Sequence, residues 1–505
     1  MMRAAVALAF AAAALAVGSG AHAAEYWSYG YGQLAVVTAG DPTDAKLVAQ
    51  RLTALDGALR KLLRLPNGAA SPPTAVYILA DAELAALDPI WHAQGGTYFR
   101  AAPFEDYLLL ASEHGAGASA SLYADRTLGL LASWGLARLP DWYRQGVAQL
   151  AAGAVYGTDR ITIGQDVAEQ AGRLAHGWIP MEKILRLSAT DAEFNRSPEA
   201  LALYQAQCWW LVHLLLIDGV LDPALSHYVD WLMAGRNQDS AFAESFGANY
   251  GRGASYEQVD EYFRGVRRAV KLRTYSTAMP DAGAAAPVPL AEDAYKASVA
   301  QLAISHDAHS ARGQQLAAEV LAAEAENARA LLVQAQSQLA ARKFAEADAT
   351  VLRVRAQENL TASERRVAGM VEVALAGQKD DALPGTEGLD ARKIRSAARA
   401  DLRRALQLEP ADVRTLHALG WLLAAQGDVA GVRELLPAVE AAYYQRPDSV
   451  ELAALLVRMN SIAGNMADVF KYSVAEQHLA ATEAERARAA ARVERLRPLY
   501  RSSQQ

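Results

Sequence analysis

The chain has 505 residues, of which 52% are hydrophobic and 21% are charged, and its formal net charge is −7 at pH 7. This apolar content excludes a wholly disordered chain, and at roughly 150 residues per domain the length favours two or three domains. The negative charge gives no sign of a polybasic surface, so nucleic acid is not an expected partner. A single cysteine, Cys208, excludes an internal disulfide, a Cys-rich zinc site and a Cys-x-x-Cys redox pair.

Residues 1–24 have the layout of a secretory signal peptide. A positive start at Arg3 precedes an apolar run to Val17, and the small residues of Ala21-His22-Ala23-Ala24 suit a cleavage site. The run is shorter than the roughly 20 residues of a membrane span, which disfavours the alternative of an uncleaved anchor. No cysteine follows the cleavage region, which excludes a lipoprotein. We therefore expect a soluble protein exported to a bacterial periplasm, with no membrane span in the mature chain.

The first part of the mature chain has the pattern of a small sheet with one helix packed on it. Apolar residues at helical spacing predict a helix over 44–65. Aromatic residues crowd positions 26–31, where β-propensity favours a half-buried first strand over an exposed aromatic arm. Four further short runs bounded by Gly, Pro or Asp predict strands: Leu34–Thr38, Thr74–Leu79, Thr97–Arg100 and Tyr107–Ala111.

The composition changes in the middle of the chain. Helical patterns dominate after Gly117, and residues 279–289 have the Pro- and Ala-rich composition of a linker. Beyond them the chain is rich in Ala, Leu, Glu and Arg at helical spacing. The sequence therefore predicts an α+β domain over 25–272, a linker with a first helix over 273–312, and an all-α domain over 313–505. A cut near Gly283 is expected to give two halves that fold independently.

The second half contains a loose repeat. Residues 416–428 have the helix–turn form of a tetratricopeptide repeat, and residues 452–464 repeat that form. Gly427 and Gly464 occupy matching turns 37 residues apart, close to the roughly 34-residue period of such repeats. An earlier copy is predicted over 335–351. The pattern favours a solenoid of stacked helix pairs over the alternative of a non-repeating bundle.

The segment Leu139-Pro140-Asp141-Trp142-Tyr143-Arg144-Gln145-Gly146-Val147-Ala148 resembles the Leu-Pro-x-Trp-x-x-Glu-Gly-x-Ala element of gluzincin-type metallopeptidases, in the peptidase MA superfamily. Three further segments, in the same order as in that family, are similar to its other elements, and together the likeness covers about residues 30–270: Gly95–Phe99, Tyr204–His213 and Ala241–Gly247. This resemblance implies a thermolysin-like α+β fold, with a small front sheet and a helical subdomain.

The residues that give gluzincins their chemistry are replaced in this chain. The family carries His-Glu-x-x-His on one helix, where two His at i and i+4 bind Zn²⁺ and the Glu activates water, and a Glu on a later helix completes the site. The family's spacing places the first motif on Asp125, Arg126 and Gly129, and the later ligand position holds Gln145. No other register restores it, because no histidine lies between 114 and 176. Arg126 would repel a metal ion and cannot act as a base.

The sequence therefore predicts no catalytic residue, no metal site and no cofactor. Trp142, Tyr204 and His213 are the candidate lining of the vestigial cleft, although a lone histidine in so apolar a helix is more typical of a core. Cys208 has the setting of a small buried hydrophobic residue.

Three hypotheses for function remain. The first is an exported, inactive metallopeptidase-like protein that binds a protein or peptide through the helical repeats and the vestigial cleft. The second is a hydrolase with a rebuilt, non-standard site. In the third, the first domain only stabilises the repeats.

Metal content separates the second hypothesis from the other two. We expect the mature protein, purified without a His tag and incubated with excess zinc, to hold close to no zinc per chain, because both imidazoles and the carboxylate are missing. Elemental analysis after desalting measures this. One tightly held zinc per chain would favour the hydrolase.

Overall fold

The computed structural model describes residues 26–65, 73–102, 105–112, 120–134, 136, 139–165, 168–218, 223–233, 236–250, 255–269, 273–280, 285–380, 386, 388–446, 449–480 and 483–502. The signal peptide predicted over 1–24 lies outside these residues, as do positions 281–284 of the predicted linker.

The strands of the described residues form two sheets. A six-stranded sheet has the order β4-β5-β3-β2-β1-β9, in which β2, β3 and β5 run parallel and the other neighbours antiparallel. A small antiparallel sheet has the order β6-β7-β8. The strands are β1 (Tyr26–Tyr31), β2 (Leu34–Ala39), β3 (Thr74–Leu79), β4 (Gly96–Ala102), β5 (Glu105–Ala111), β6 (Val155–Tyr156), β7 (Arg160–Ile163), β8 (Tyr275–Ala278) and β9 (Val288–Pro289).

Helices make up the rest of the regular structure and divide into two sets along the chain. The first set is α1 (Pro42–Leu62), α2 (Asp81–Leu87), α3 (Pro89–Ala93), α4 (Ala120–Ser133), α5 (Asp141–Ala152), α6 (Ala168–His176), α7 (Met181–Arg186), α8 (Ala192–Asn195), α9 (Pro198–His213), α10 (Pro223–Met233), α11 (Gln238–Tyr250) and α12 (Tyr256–Ala269). The second set is α13 (Glu292–His306), α14 (Ala311–Ala323), α15 (Ala328–Ala340), α16 (Phe344–Arg355), α17 (Ala362–Asp380), α18 (Ala391–Leu408), α19 (Val413–Ala425), α20 (Val429–Gln445), α21 (Val450–Ala463), α22 (Met466–Leu479) and α23 (Glu483–Ser502).

The large sheet is buried on both faces. The registered row Val36, Val76 and Leu108 lies in one core with α1 and the helices up to α12. The next row along the strands points to the opposite face, because side chains alternate in a strand. That row, which is Val37, Tyr77 and Leu109, lies in a second core with α13, α14 and α15. The sheet is therefore the middle layer between two helical layers.

The segment predicted as a linker is attached to the first half of the chain. Its β9 end pairs with β1, and β8 pairs with β7. At the other end, Gln50 Nε2 donates a 2.8 Å hydrogen bond to the carbonyl of Pro280, and the amide of Met279 donates to Asp159. These contacts hold the chain against the first half just before α13, and α13 covers the second face of the sheet.

Helix α9 is the centre of the first helical layer, where it packs against α5, α6, α7 and α8. Its apolar run ends in a π-helical turn at Leu214–Asp218. Among the described residues, the helix over Pro198–Asp218 is the one long and apolar enough to cross a membrane by length and composition, and 56% of its most apolar window is buried inside the protein. Such burial is what a core helix shows.

The second set of helices is arranged as consecutive pairs. Each consecutive pair, from α13–α14 to α21–α22, packs together. In the series α13, α15, α17, α19 and α21, each helix also contacts the next one. The predicted turns at Gly427 and Gly464 are confirmed: both glycines have the left-handed φ that ends a helix, +64° and +82°. The earlier copy predicted over 335–351 spans the end of α15 and most of α16, on which Phe344 and Ala347 are buried.

The broad fold class is confirmed as a mixed α/β region followed by a helical, repeat-like region. The five predicted strands of the front sheet and the helix over 44–65 correspond to β1 to β5 and α1. The sequence analysis missed the small sheet and the second helical layer. The domain boundaries at 272 and 312 stay predictions.

The packing leads us to expect a result other than independent halves. A protease site introduced at 281–284 and then cleaved should give two pieces that stay associated and unfold in one transition, because β9 and α13 cover apolar sheet residues. Size-exclusion chromatography and thermal melting of cut and uncut protein test this. Separation of the pieces, each melting cooperatively, would instead support the boundary near Gly283.

Candidate functional site

The four positions singled out by the resemblance to metallopeptidases lie on two packed helices, α4 and α5. Asp125 is exposed, and partial desolvation raises the pKa of its carboxyl group. Arg126 is buried, while Gly129 and Gln145 are half-buried. The structure thus places the motif positions on adjacent helices, with their side chains in different surroundings.

Arg126 is bound into the protein core. Its Nη2 donates to both carboxylate oxygens of Asp56 on α1, at 3.0 and 2.9 Å, and its side chain is 1% exposed. Its Nε and Nη1 have no hydrogen-bond partner among the described residues. Burial and the nearby Arg126 charge lower the pKa of Arg60, an effect that Asp56 opposes. The position of a general base is therefore occupied by a structural cation.

Gly129 lies directly under a tyrosine of the edge strand β4. A Cβ atom at this position would be 2.1 Å from Tyr98 Oη, closer than any van der Waals contact. Burial, together with the neighbouring Asp106 carboxylate, raises the pKa of Tyr98, so its hydroxyl stays protonated. Arg100 on the same strand binds Asp106 at 2.6 Å and also contacts Ser133 at the end of α4. The position of the second histidine is thus filled by Tyr98.

The three residues expected to line the vestigial cleft are fully buried. Trp142, Tyr204 and His213 are each 0% exposed. Tyr204 Oη donates to Asp141 Oδ2 at 3.2 Å, which links α9 to the start of α5. Burial raises the pKa of both Tyr204 and Cys208, and the Cys208 thiol therefore lacks the thiolate character of a nucleophile.

His213 forms a buried pair with an acid. Its Nδ1 lies 2.9 Å from Asp218 Oδ2 and its Nε2 lies 3.0 Å from the carbonyl of Gly164. The π-helical turn makes this pairing, since it brings residues i and i+5 together. Asp218 also accepts the amide of Arg273. The pair joins α9 to one end of the small sheet, where Gly164 follows β7 and Arg273 precedes β8.

Within the described part of the chain, no group of three His, Cys, Asp or Glu side chains is arranged to hold a metal ion. The positions that the family's zinc ligands would take hold one exposed acid, one glycine and one glutamine. This donor set does not fit a zinc ion, which needs imidazole, thiolate or several carboxylates.

A cavity lies between the large sheet and the second set of helices. Its volume is ≈ 170 Å³. The sheet contributes residues of β2, β3 and β5, and the opposite wall comes from α13, α15, α17 and the segment joining α18 to α19. Its polar and charged lining includes Thr74, Tyr77, Glu105, Asp106, Tyr107, Ser298, Gln301, Ser305, Arg329, Gln336, Thr361, Ser363, Arg366, Glu409 and Arg414.

A buried network of charges anchors one wall of this cavity. Arg366 on α17 is 5% exposed and binds Glu105 at the start of β5. It also lies 3.8 Å from Asp412, which Arg414 binds at 2.8 Å. Although burial alone would raise the pKa of Asp412, Arg414 and Arg366 outweigh it and lower the pKa. The sheet and the helices are thus joined by ion pairs next to the open space.

The sequence analysis did not find this cavity. One signal was present, because Ser298, Gln301 and Ser305 recur at i, i+3 and i+7 and so form a polar stripe on the otherwise apolar α13. Gln301 Nε2 donates to Gln336 on α15 at 2.9 Å, so the stripe continues across the next helix. Periodicity reveals such a stripe but not the surface that it faces.

No family model matches the chain, and neither the curated proteins nor the solved structures include a significant match. The resemblance to gluzincins therefore rests on the sequence motifs alone.

The contact between Gly129 and Tyr98 gives a test of the geometry of α4. We expect Gly129→Ala to destabilise the protein by about 1–3 kcal/mol, because the added methyl group overlaps the tyrosine ring. Gly57→Ala on α1 is the matched control, since no atom lies within 4 Å of its added methyl group. It should be neutral or stabilising by about 0.5–1 kcal/mol. Urea denaturation measures both.

In a Tyr98→Ala background, Gly129→Ala should cost less stability than it does in the wild-type protein, because the ring that the methyl group overlaps is gone. Equal stability of Gly129→Ala and Gly57→Ala would show that Tyr98 does not cover this position.

Proposed function

We propose that this protein is an exported, catalytically inactive metallopeptidase-like protein with a thermolysin-like first region and tetratricopeptide-like repeats, and that it binds peptide or protein ligands. The export signal, the family and the repeat type are carried over from the sequence motifs. The signal peptide favours a soluble periplasmic location, and a negative net charge disfavours nucleic acid as a ligand.

The cavity between the sheet and the helices is the observation that carries the proposal. Ligand sites favour the junctions between structural units, where concave surfaces meet. Here the metallopeptidase-like region supplies one wall and the repeat-like helices supply the other. A ligand at this place would contact both, which gives the combination of the two regions a function.

The geometry of α4 supports the lack of catalysis. The Arg126 guanidinium is held by Asp56, and a guanidinium group neither binds a metal ion nor serves as a base. Two His–Asp pairs occur among the described residues, His213 with Asp218 and His92 with Asp81. No observation favours a hydrolase built on either pair, because substrate cannot reach the first, whose side chains are at most 1% exposed, and the 3.5 Å separation of the second is too long for a good hydrogen bond.

Peptide retention tests the proposal. The wild-type protein, immobilised through its C-terminus, should retain a subset of peptides from a tryptic digest of serum albumin and release them uncleaved, as mass spectrometry would show. Ser363→Trp should abolish retention, because this exposed residue lines the cavity and an indole would fill much of its volume. Ala349→Trp is the matched control on the exposed surface of α16 and should retain the same peptides.

Two results would contradict the proposal. Cleavage of the peptides by the wild-type protein would favour the hydrolase. Absence of retention, or retention that Ser363→Trp leaves unchanged, would remove the cavity as the binding site.

A further inference from the structure

We propose that the cavity between the sheet and the helices binds a small zwitterion, of the class and size of a single free α-amino acid. This inference rests on the proposal that the cavity is the binding site, and it narrows the ligand. It follows from the volume of the cavity, from two charged groups on its wall and from the balance of charge around it.

The volume limits what the cavity can enclose to about one amino acid. The cavity measures ≈ 170 Å³. An engineered protein cavity of about 150 Å³ holds one benzene molecule. A free amino acid of modest size fits a space of this order, whereas a longer peptide would have to extend beyond the cavity.

Arg414 offers a site for a carboxylate. Its Nε is bound to Asp412 at 2.8 Å, which fixes the plane of the guanidinium group. Its two terminal nitrogens have no hydrogen-bond partner among the described residues, and the side chain is 16% exposed at the cavity wall. An arginine held at Nε presents its remaining N–H groups as a fork that matches a carboxylate.

Glu409 offers a site for an ammonium group. It lines the same cavity, five residues before Arg414, and its carboxylate has no hydrogen bond or ion pair within the described parts of the chain. Burial, and then the Asp412 charge, raise the pKa of Glu409, while the nearby Arg414 and Arg366 charges oppose this effect. A ligand ammonium group would give the carboxylate the direct partner that it lacks.

The balance of charge around the cavity excludes a simple anion or cation as the best ligand. Positive and negative groups are mixed around it: Arg366 is paired with Glu105, Arg414 is paired with Asp412, and Glu409 lies on the same wall. A ligand with one charge would meet one attractive and one repulsive group, while a zwitterion satisfies both at once.

The remaining surface suits the rest of such a molecule. Val367 and Met370 provide an apolar patch, and Met370 is 37% exposed. The rings of Tyr77 and Tyr107 stand on the sheet side, while their hydroxyl groups are turned to the main chain of Ser298 and to Ser305. A short aliphatic side chain would lie against these groups.

Calorimetry on the full-length mature protein tests the inference. The twenty common L-amino acids are titrated one by one, followed by the N-acetyl and the C-terminal amide derivatives of whichever binds. Binding of the free amino acid should be at least tenfold tighter than binding of either derivative, because each derivative lacks one charge. The blocked dipeptide N-acetyl-Ala-Ala-amide serves as a probe for peptide binding.

Variants locate the two charges. Glu409→Gln should lower the affinity for the free amino acid about tenfold or more and leave the affinity for its N-acetyl derivative unchanged. Arg414→Gln should lower the affinity for the free amino acid and leave the affinity for its C-terminal amide derivative unchanged. Arg404→Gln and Glu346→Gln are the matched controls at exposed positions outside the cavity, and should change neither affinity. The comparison of the derivatives uses wild-type protein, so its result does not depend on whether any variant folds.

The outcomes separate the inference from the proposed function. Equal affinity for the free amino acid and its derivatives would overturn the zwitterion proposal. So would an affinity for the free amino acid that Glu409→Gln leaves unchanged. Binding of the blocked dipeptide, lost in Ser363→Trp, with no binding of free amino acids, would overturn it too but keep the peptide-binding function. Failure of every probe to bind would overturn the zwitterion, and the peptide-retention experiment alone would then decide the proposed function.

Discussion

Burial of the large sheet on both faces is the constraint on which the rest of the structure depends. A strand with apolar side chains on both faces leaves those of one face in water unless a second layer covers that face. In this chain the row Val37, Tyr77 and Leu109 is covered by α13 and the two helices that follow. The helical region is therefore not an appendage to a finished domain, because its first helices complete the core of the sheet. This packing also brings the polar stripe of α13 against the starts of β3 and β5, where the cavity forms.

Two neighbouring residues of β5 connect the layers through charge. Glu105 points to one face and binds Arg366 of α17, while Asp106 points to the other and binds Arg100, which contacts the end of α4. Both acids are buried or nearly so, and a buried ion is tolerated only with a partner. Each pair is thus costly to break, and the strand fixes the distance between the two helical layers at this end of the sheet. The cavity lies beside this junction, where charges are dense and water is partly excluded.

Sequence patterns predicted those parts of the fold that depend on local periodicity. The strands β2 to β5, helix α1 and the turns at Gly427 and Gly464 follow from short windows of sequence. Pairings between distant residues were missed, such as β7 with β8, which lie more than 100 residues apart. One available signal was the nearly continuous apolar run of β3 and β5, which is typical of strands buried on both faces. The positions of Arg126 and Gly129 were identified, but the partners Asp56 and Tyr98 depend on tertiary packing that no window contains.

The ion pair of Arg126 holds α4 to its neighbour α1. On the proposed relationship to metallopeptidases, a zinc ion would tie this helix to the next one through imidazole and carboxylate ligands. Here the helix is tied instead to α1 through Asp56 and to strand β4 through Tyr98. Arg126→Glu would place a second carboxylate beside the buried Asp56, and Gly129→His would put an imidazole where Tyr98 lies. The packing of α4 thus opposes the return of a metal site, and the cavity lies on the other face of the sheet.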